Sequence, residues 1–219
     1  MNTQTEENYL KAIYKLFVQD DTAVSTNSIA ERLHTKASSV TDMLKKLAEK
    51  KLINYAKYQG VSLTEAGEQV ALKIIRKHRL WEVFLVDQLK FKWDEVHDIA
   101  EQLEHVVSPE MVNRLDKFLD FPKFDPHGDP IPDKNGLFTN RKEFSLADLR
   151  KKDQGVIVGV NDSSVAFLQY LEEKNLVLGT EVRLVERFKY DNSMAIELDG
   201  KKEITISSKV ARNINISQI

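Results

Sequence analysis

Apolar positions recur at helical spacing from about residue 6, where Tyr9, Ile13, Leu16 and Phe17 share one side, until Gln19-Asp20-Asp21 interrupts the pattern. A second, short helix is predicted with Asn27 or Ser28 as its N-cap and Ile29, Ala30 and Leu33 facing inward, followed by the polar turn His34-Thr35-Lys36. From Ser38 a third amphipathic helix buries Val40, Met43, Leu44, Leu47 and Ala48 and turns Ser39, Thr41, Asp42, Lys45, Lys46 and Glu49 outward. Two strand-like runs, Leu52 to Tyr58 and Val61 to Thr64, flank Gln59-Gly60, where the glycine supplies the positive φ of a tight hairpin. Helix, turn, helix and hairpin in that order read as a helix-turn-helix with a wing.

Helical periodicity resumes at Thr64, an N-cap, and runs through Val70, Ile74, Ile75 and Leu80 toward Val86. A further helix is expected from Trp93 to Val107, and another from Ser108-Pro109-Glu110 to about Leu119, with Pro109 at the first helical position. Residues 121 to 142 hold all but one of the prolines and show little periodicity, so they read as an extended linker. After Phe144 short β-rich runs follow (Gly155 to Val160, Glu181 to Arg187, Met194 to Leu198, Glu203 to Ile206), with one helix from Ser164 to Glu173, which together suggest a small barrel. The expected fold class is α+β: a winged helix over 1–73, an all-helical domain over 74–140 and a small β domain over 141–219.

Composition narrows the chemistry. None of the 219 residues is cysteine, which removes disulfides, thiolate metal sites and cysteine nucleophiles together. No apolar run is long enough to span a membrane and the first residues are polar, so a cytoplasmic protein without membrane contact is expected. The net charge of -2 gives no global footprint for nucleic acid. Locally the picture changes: between residues 28 and 58, seven Lys or Arg stand against three acids, an excess of about four positive charges. A face made of Lys36, Ala37, Ser38, Ser39, Thr41, Asp42, Lys45 and Lys46, with Lys57 on the wing, can enter a major groove and reach phosphates and base edges of double-stranded DNA. The competing reading is a solvated lysine-rich helix.

His78 and Glu82 stand at i, i+4 on one helix, and His97, Glu101, Glu104 and His105 at i, i+4, i+7, i+8 on another, so each set is expected to stack on one face. Imidazoles and carboxylates without sulfur favour six-coordinate Mn(II) or Fe(II) over structural zinc. Two alternatives remain at this point. The His/Glu faces are wet surface on a metal-independent winged-helix protein, or they are a metallohydrolase pocket, although no His-Glu-x-x-His motif is present and no catalytic residue stands out.

Several segments, in order, resemble the diphtheria-toxin-repressor family of iron- and manganese-dependent regulators. They are Glu7-Asn8-Tyr9-Leu10-Lys11-Ala12-Ile13-Tyr14, Ser38-Ser39-Val40-Thr41, Leu63-Thr64-Glu65-Ala66-Gly67, Arg76-Lys77-His78-Arg79-Leu80, Val96-His97-Asp98, Glu104-His105-Val106 and Pro126-His127-Gly128-Asp129-Pro130-Ile131-Pro132. The resemblance implies an N-terminal winged helix, a helical dimerisation domain and a C-terminal SH3-like (FeoA-like) domain. It also implies a homodimeric repressor on a palindromic operator, with the metal as corepressor controlling uptake genes. It places a primary effector site at Asn8, Glu101, Glu104 and His105 and an ancillary site at His78, Glu82 and His97. Glu101 stands where iron-type members carry Cys, which points to manganese. Asn8 stands where relatives have Asp or Met, and Lys11 where members with a two-metal cluster have an acid. The SH3-like domain's ligands would fall near Ser163 and Ala166; Ala166 offers no donor, and Asp162 is the neighbouring carboxylate.

Overall fold

The computed structural model describes residues 2–20, 23–56 and 60–218. The chain divides into two units, the first made of Met1–His78, Leu103–Ser108 and Pro132–Leu137, the second of Arg79–Gln102, Pro109–Ile131 and Phe138–Ile219.

In the first unit, α1 (Gln4–Asp20), α2 (Thr26–Arg32) and α3 (Ala37–Glu49) precede a hairpin of β1 (Ile53–Ala56) and β2 (Gly60–Leu63), and α4 (Glu65–Asp87) follows, its residues from Arg79 onward belonging to the second unit. The anticipated apolar stripes meet in one core: Tyr9, Leu10, Ile13 and Leu16 from α1, Ile29 from α2, Val40, Leu44 and Leu47 from α3, and Ile53 and Val61 from the hairpin. Met43 and Ala48, expected inside, are only partly buried against it. Ser25, rather than Asn27 or Ser28, caps α2, its hydroxyl accepting from the Ser28 amide at 3.0 Å. In the hairpin Ile53 pairs with Leu63 and Ala56 with Gly60, whose φ of +87° is the left-handed conformation expected of it. Lys57 and Gln59 lie outside the described residues.

Thr64 caps α4 as anticipated, its hydroxyl accepting from the Gly67 amide at 3.2 Å. Gly67 is a requirement of packing. A Cβ there would lie 1.9 Å from the Leu52 carbonyl oxygen, a contact that only a bare α-carbon avoids.

The second unit holds α5 (His97–Leu103, its final residue falling to the first unit), α6 (Pro109–Phe118) and α7 (Val165–Lys174). Its strands are β3 (Phe144–Ser145), β4 (Gln154–Val160), β5 (Glu181–Arg187), β6 (Met194–Leu198), β7 (Lys202–Ile206) and β8 (Ile214–Gln218), with the short helix α8 (Ser208–Arg212) before β8. The strands form one antiparallel sheet in the order β3-β8-β4-β5-β6-β7, bulged at Ile157/Gly159 and at Leu184/Glu186. The sheet curves around a core that includes Ile157, Leu168, Leu171, Leu184, Ile196, Ile206, Ile214 and Ile216. Among the described residues its ladder is not closed, β3 and β7 being its edges, so the barrel expected from the strand runs is an open one.

Two expectations need correction. The helix anticipated from Trp93 to Val107 spans only His97–Leu103, because Glu104 leaves the helical path for a buried ion pair described below. The supposed linker is tightly tied in the part that belongs to the second unit: Asp125 Oδ1 accepts from the amides of His127 (2.9 Å) and Asp129 (3.0 Å), and Phe124 bridges to Pro130. Proline density there marks a rigid turn with buried contacts rather than a flexible tether.

Candidate metal centre and nucleic-acid face

In the first unit the acids and imidazoles meet around Glu104, whose side chain is fully buried. Lys11 Nζ, from α1, donates to its two oxygens at 2.6 and 2.9 Å. His78 Nδ1, from α4, lies 2.7 Å from Oε2. Burial alone would push the Glu104 carboxyl up, but the His78 ring and the Lys11 ammonium outweigh it and hold the group below the ordinary carboxylate range. His105 turns Nδ1 to Glu7 Oε2 at 2.7 Å and leaves Nε2 3.7 Å from Glu104 Oε1. Burial lowers the pKa of Lys77, opposed by the charges of Glu7 and Glu104.

Asn8 lies on α1 between Glu7, which reaches His105, and Lys11, which reaches Glu104. Its Oδ1 is buried without a hydrogen-bond partner. An orphaned acceptor of this kind is destabilising unless something else satisfies it, and a cation does so. The donor types, an amide oxygen, a carboxylate and an imidazole with no sulfur, are those a divalent ion takes.

His78, assigned by the resemblance to the ancillary group, makes its Glu104 contact here. Glu101 is exposed in α5 and faces His97 Nε2 at 3.7 Å. The i+7 and i+8 stacking expected of Glu104 and His105 on the His97 helix does not occur, since both follow the last helical residue, Leu103. Glu7 was not anticipated, and nothing in its spacing marks it; only the fold brings His105 to it.

In the second unit Glu82 and His97 are brought together, Nδ1 to Oε1 at 3.3 Å. His127 and Asp125, neither anticipated, join Glu82. Burial would lower the His127 pKa, but Glu82, Asp125 and the Trp93 carbonyl raise it to about 9. Asp125 is pushed up to about 7 by burial and the charges of Asp129 and Glu82, against Arg79 and His127. Asp162 Oδ1 accepts from the Ser164 amide at 2.9 Å, a local turn bond, and Ser163 and Ala166 are exposed.

Of the anticipated DNA face, Lys36, Ala37, Ser38, Ser39, Asp42 and Lys45 are exposed at the start and outer side of α3. Thr41 is half-buried and donates to the Ala37 carbonyl at 3.0 Å. Lys45 is only loosely paired with Asp42, at 3.4 Å, and both stay hydrated. Lys46 is different: with Lys50 it holds the buried Glu6 of α1 at 3.1 and 2.8 Å, so it ties α3 to α1. Although burial raises the Glu6 pKa, Lys50, the Thr3 amide and Lys46 bring it down to about 2. A depressed carboxylate contributes stability that is present above its unfolded value and is lost as pH falls through the folded one. Acid titration should therefore show a component of destabilisation between pH 4.5 and about 2 that disappears in Glu6→Gln, an identical acid limb in both proteins being the contrary result.

Three family models match this chain: "iron dependent repressor, N-terminal DNA binding domain" over residues 1–61, "iron dependent repressor, metal binding and dimerisation domain" over 64–133, and "FeoA domain" over 144–218. Among solved structures, a manganese-dependent transcriptional repressor in complex with manganese is 34% identical and superposes with a TM-score of 0.86, covering 98% of this chain and 100% of that one. The chain belongs to the diphtheria-toxin-repressor family. The diphtheria toxin repressor of Corynebacterium diphtheriae is 29% identical over 98% of this chain and 97% of its own length. The iron-dependent repressor of Mycobacterium tuberculosis is 38% identical over 128 residues, 58% of this chain, so the aligned stretch spans 55% of that relative. The diphtheria-toxin-repressor fold thus accounts for the winged helix, the helices after it and the FeoA sheet. Among the described residues no helix is long and apolar enough to cross a membrane.

Proposed function

We propose that this chain is a metal-dependent DNA-binding repressor of metal uptake genes, a cytoplasmic homodimer with Mn(II), or failing that Fe(II), as corepressor. The observation that carries the reading is the buried, unpartnered Oδ1 of Asn8, set on α1 between residues that contact His105 and Glu104. Asn8, Glu104 and His105 would hold the ion, which supplies a positive charge that no side chain there can reproduce for an amide oxygen. Held this way, α1 is fixed to the turn that follows α5, and α1 in turn carries α3 through Glu6, Lys46 and Lys50. Because the ligands come from segments far apart in sequence, binding favours only arrangements that bring them together, and that difference in affinity shifts the population toward them.

Manganese is preferred over iron because Glu101 stands where iron-type members carry Cys; the donor set of amide oxygen, carboxylate and imidazole suits either ion. Ser38, Ser39 and Lys45 are the groups offered to DNA, and a two-fold dimer would read a palindromic operator. Mobility shifts on the promoter of its own gene, with chelator and with Mn(II), test the reading; equal shifts in both would overturn the metal dependence.

Lys11 adds a prediction. Its ammonium already occupies both Glu104 oxygens, so an ion at Glu104 competes with an internal cation. Lys11→Gln should tighten Mn(II) binding about tenfold, about 1.4 kcal/mol, in isothermal titration. Unchanged or weaker binding would show that Lys11 does not compete.

A further inference from the structure

We propose that Glu7 is the residue that orients His105 toward an ion: its carboxylate accepts the Nδ1 proton of the ring and so leaves Nε2, unprotonated, as the nitrogen offered to a metal. This role rests on Asn8, Glu104 and His105 holding a divalent cation, as proposed above, and makes Glu7 a positioning residue rather than a ligand.

The geometry begins on α1. Glu7 and Lys11 stand four residues apart and so share one face of the helix. Opposite them are two consecutive residues, Glu104 and His105, just past the last helical residue of α5. Each member of the α1 pair holds one of the two. Lys11 Nζ donates to the Glu104 oxygens at 2.6 and 2.9 Å, and Glu7 Oε2 lies 2.7 Å from His105 Nδ1. All four residues belong to the first unit.

A carboxylate only accepts, so the contact with Glu7 places the ring proton on Nδ1. The His105 side chain is only 8% exposed, and Glu7 satisfies a donor that would otherwise be poorly hydrated. The other nitrogen is placed differently. Nε2 lies 3.7 Å from Glu104 Oε1, too long for a hydrogen bond. Two donors bound to one ion at about 2.0–2.2 Å each stand about 3–4 Å apart, and this pair falls in that range. An imidazole that gives its far proton to a carboxylate is a common form of metal-binding histidine, because the partner fixes the tautomer and the ring plane and raises the basicity of the ligating nitrogen. Glu7 and Asn8 are adjacent, so one turn of α1 supplies both a candidate ligand and the group that aims a second.

Isothermal titration of the metal-stripped full chain with Mn(II), beside histidine ¹⁵N spectra recorded with and without diamagnetic Zn(II), tests this role. Glu7→Ala should weaken the Mn(II) binding that depends on Glu104 by about 10–100-fold. Glu7→Gln, whose amide oxygen still accepts from Nδ1, should recover most of that loss. In the unmodified chain, where no variant has to fold, metal-free His105 should carry its proton on Nδ1 and Zn(II) should shift its Nε2 resonance. Mn(II) affinity unchanged in Glu7→Ala, equal losses in the two variants, or a Zn(II) shift that falls on Nδ1 each overturns the proposal. A His105 that responds to no metal in the unmodified chain overturns both this role and the ion site on which it rests. A Glu7-dependent ion with no effect on DNA affinity supports this role and overturns the regulatory reading instead.

Discussion

Glu104→Gln should abolish the metal response and destabilise the protein at once. The carboxylate is fully buried and carries both Lys11 contacts and the His78 contact. Replacing it with an amide removes the negative charge but leaves the Lys11 ammonium in a site where its side chain is only 9% exposed. Removing one partner of a buried ion pair costs about 3–5 kcal/mol, because the surviving charge is not returned to water. Denaturant titration should show a loss of about 3 kcal/mol, and DNA affinity should no longer change between chelator and Mn(II). A variant as stable as the parent, with its metal response intact, would show that Glu104 is neither buried support nor ligand.

Gly67→Ala should be the second large effect, and it needs no metal. A methyl group at this position meets the Leu52 carbonyl oxygen at 1.9 Å and its carbon at 2.9 Å, both backbone atoms that no rotamer change can move. The hairpin and α4 would have to separate. Overpacking of this kind costs about 1–3 kcal/mol and occasionally more, and a backbone collision belongs at the upper end. The loss should appear as a lower denaturation midpoint for the first unit, with the FeoA sheet unfolding as before. A change of less than about 0.5 kcal/mol, the range of ordinary surface substitutions, would contradict the packing described.

The sequence pattern recovered those elements whose stability comes from one continuous apolar stripe. α3 and α4 and the strands from Gln154 to Ile206 fall within a few residues of expectation, because 3.6-residue and two-residue periods report burial directly. The alternation that buries Ile214 and Ile216 is equally visible in β8, but Asn213, Asn215 and Ser217 give that stretch the composition of a loop. The capping residue of α2 was ambiguous for a different reason: Ser25, Thr26, Asn27 and Ser28 are all competent caps, and only the bond to the Ser28 amide distinguishes them.

The candidate metal centre is legible as residue types but not as an arrangement. Spacing at i, i+4 describes neighbours on one helix, and it placed Glu104 and His105 on the helix of His97. They lie beyond its end, drawn to Lys11, His78 and Glu7, partners that no local rule pairs with them. Lys46 shows the same limit on the DNA face. It shares the polar side of α3 with Lys45, but the buried Glu6 on α1 claims it as a structural tie. His127 and Asp125 were hidden by prolines that suggested a linker, when the prolines shape the turn that buries them.

The central claim is that an ion held by Asn8, Glu104 and His105 governs affinity for DNA. Fluorescence anisotropy of the promoter fragment, at fixed salt because phosphate contacts make binding salt-dependent, tests it in the parent chain and in His105→Ala side by side. Titrating Mn(II) into the chelated parent should tighten binding at least tenfold, about 1.4 kcal/mol of coupling, while His105→Ala should show less than about a twofold change, roughly 0.4 kcal/mol on the same scale. Equal affinities with and without metal in the parent, or an undiminished response in the variant, would contradict it.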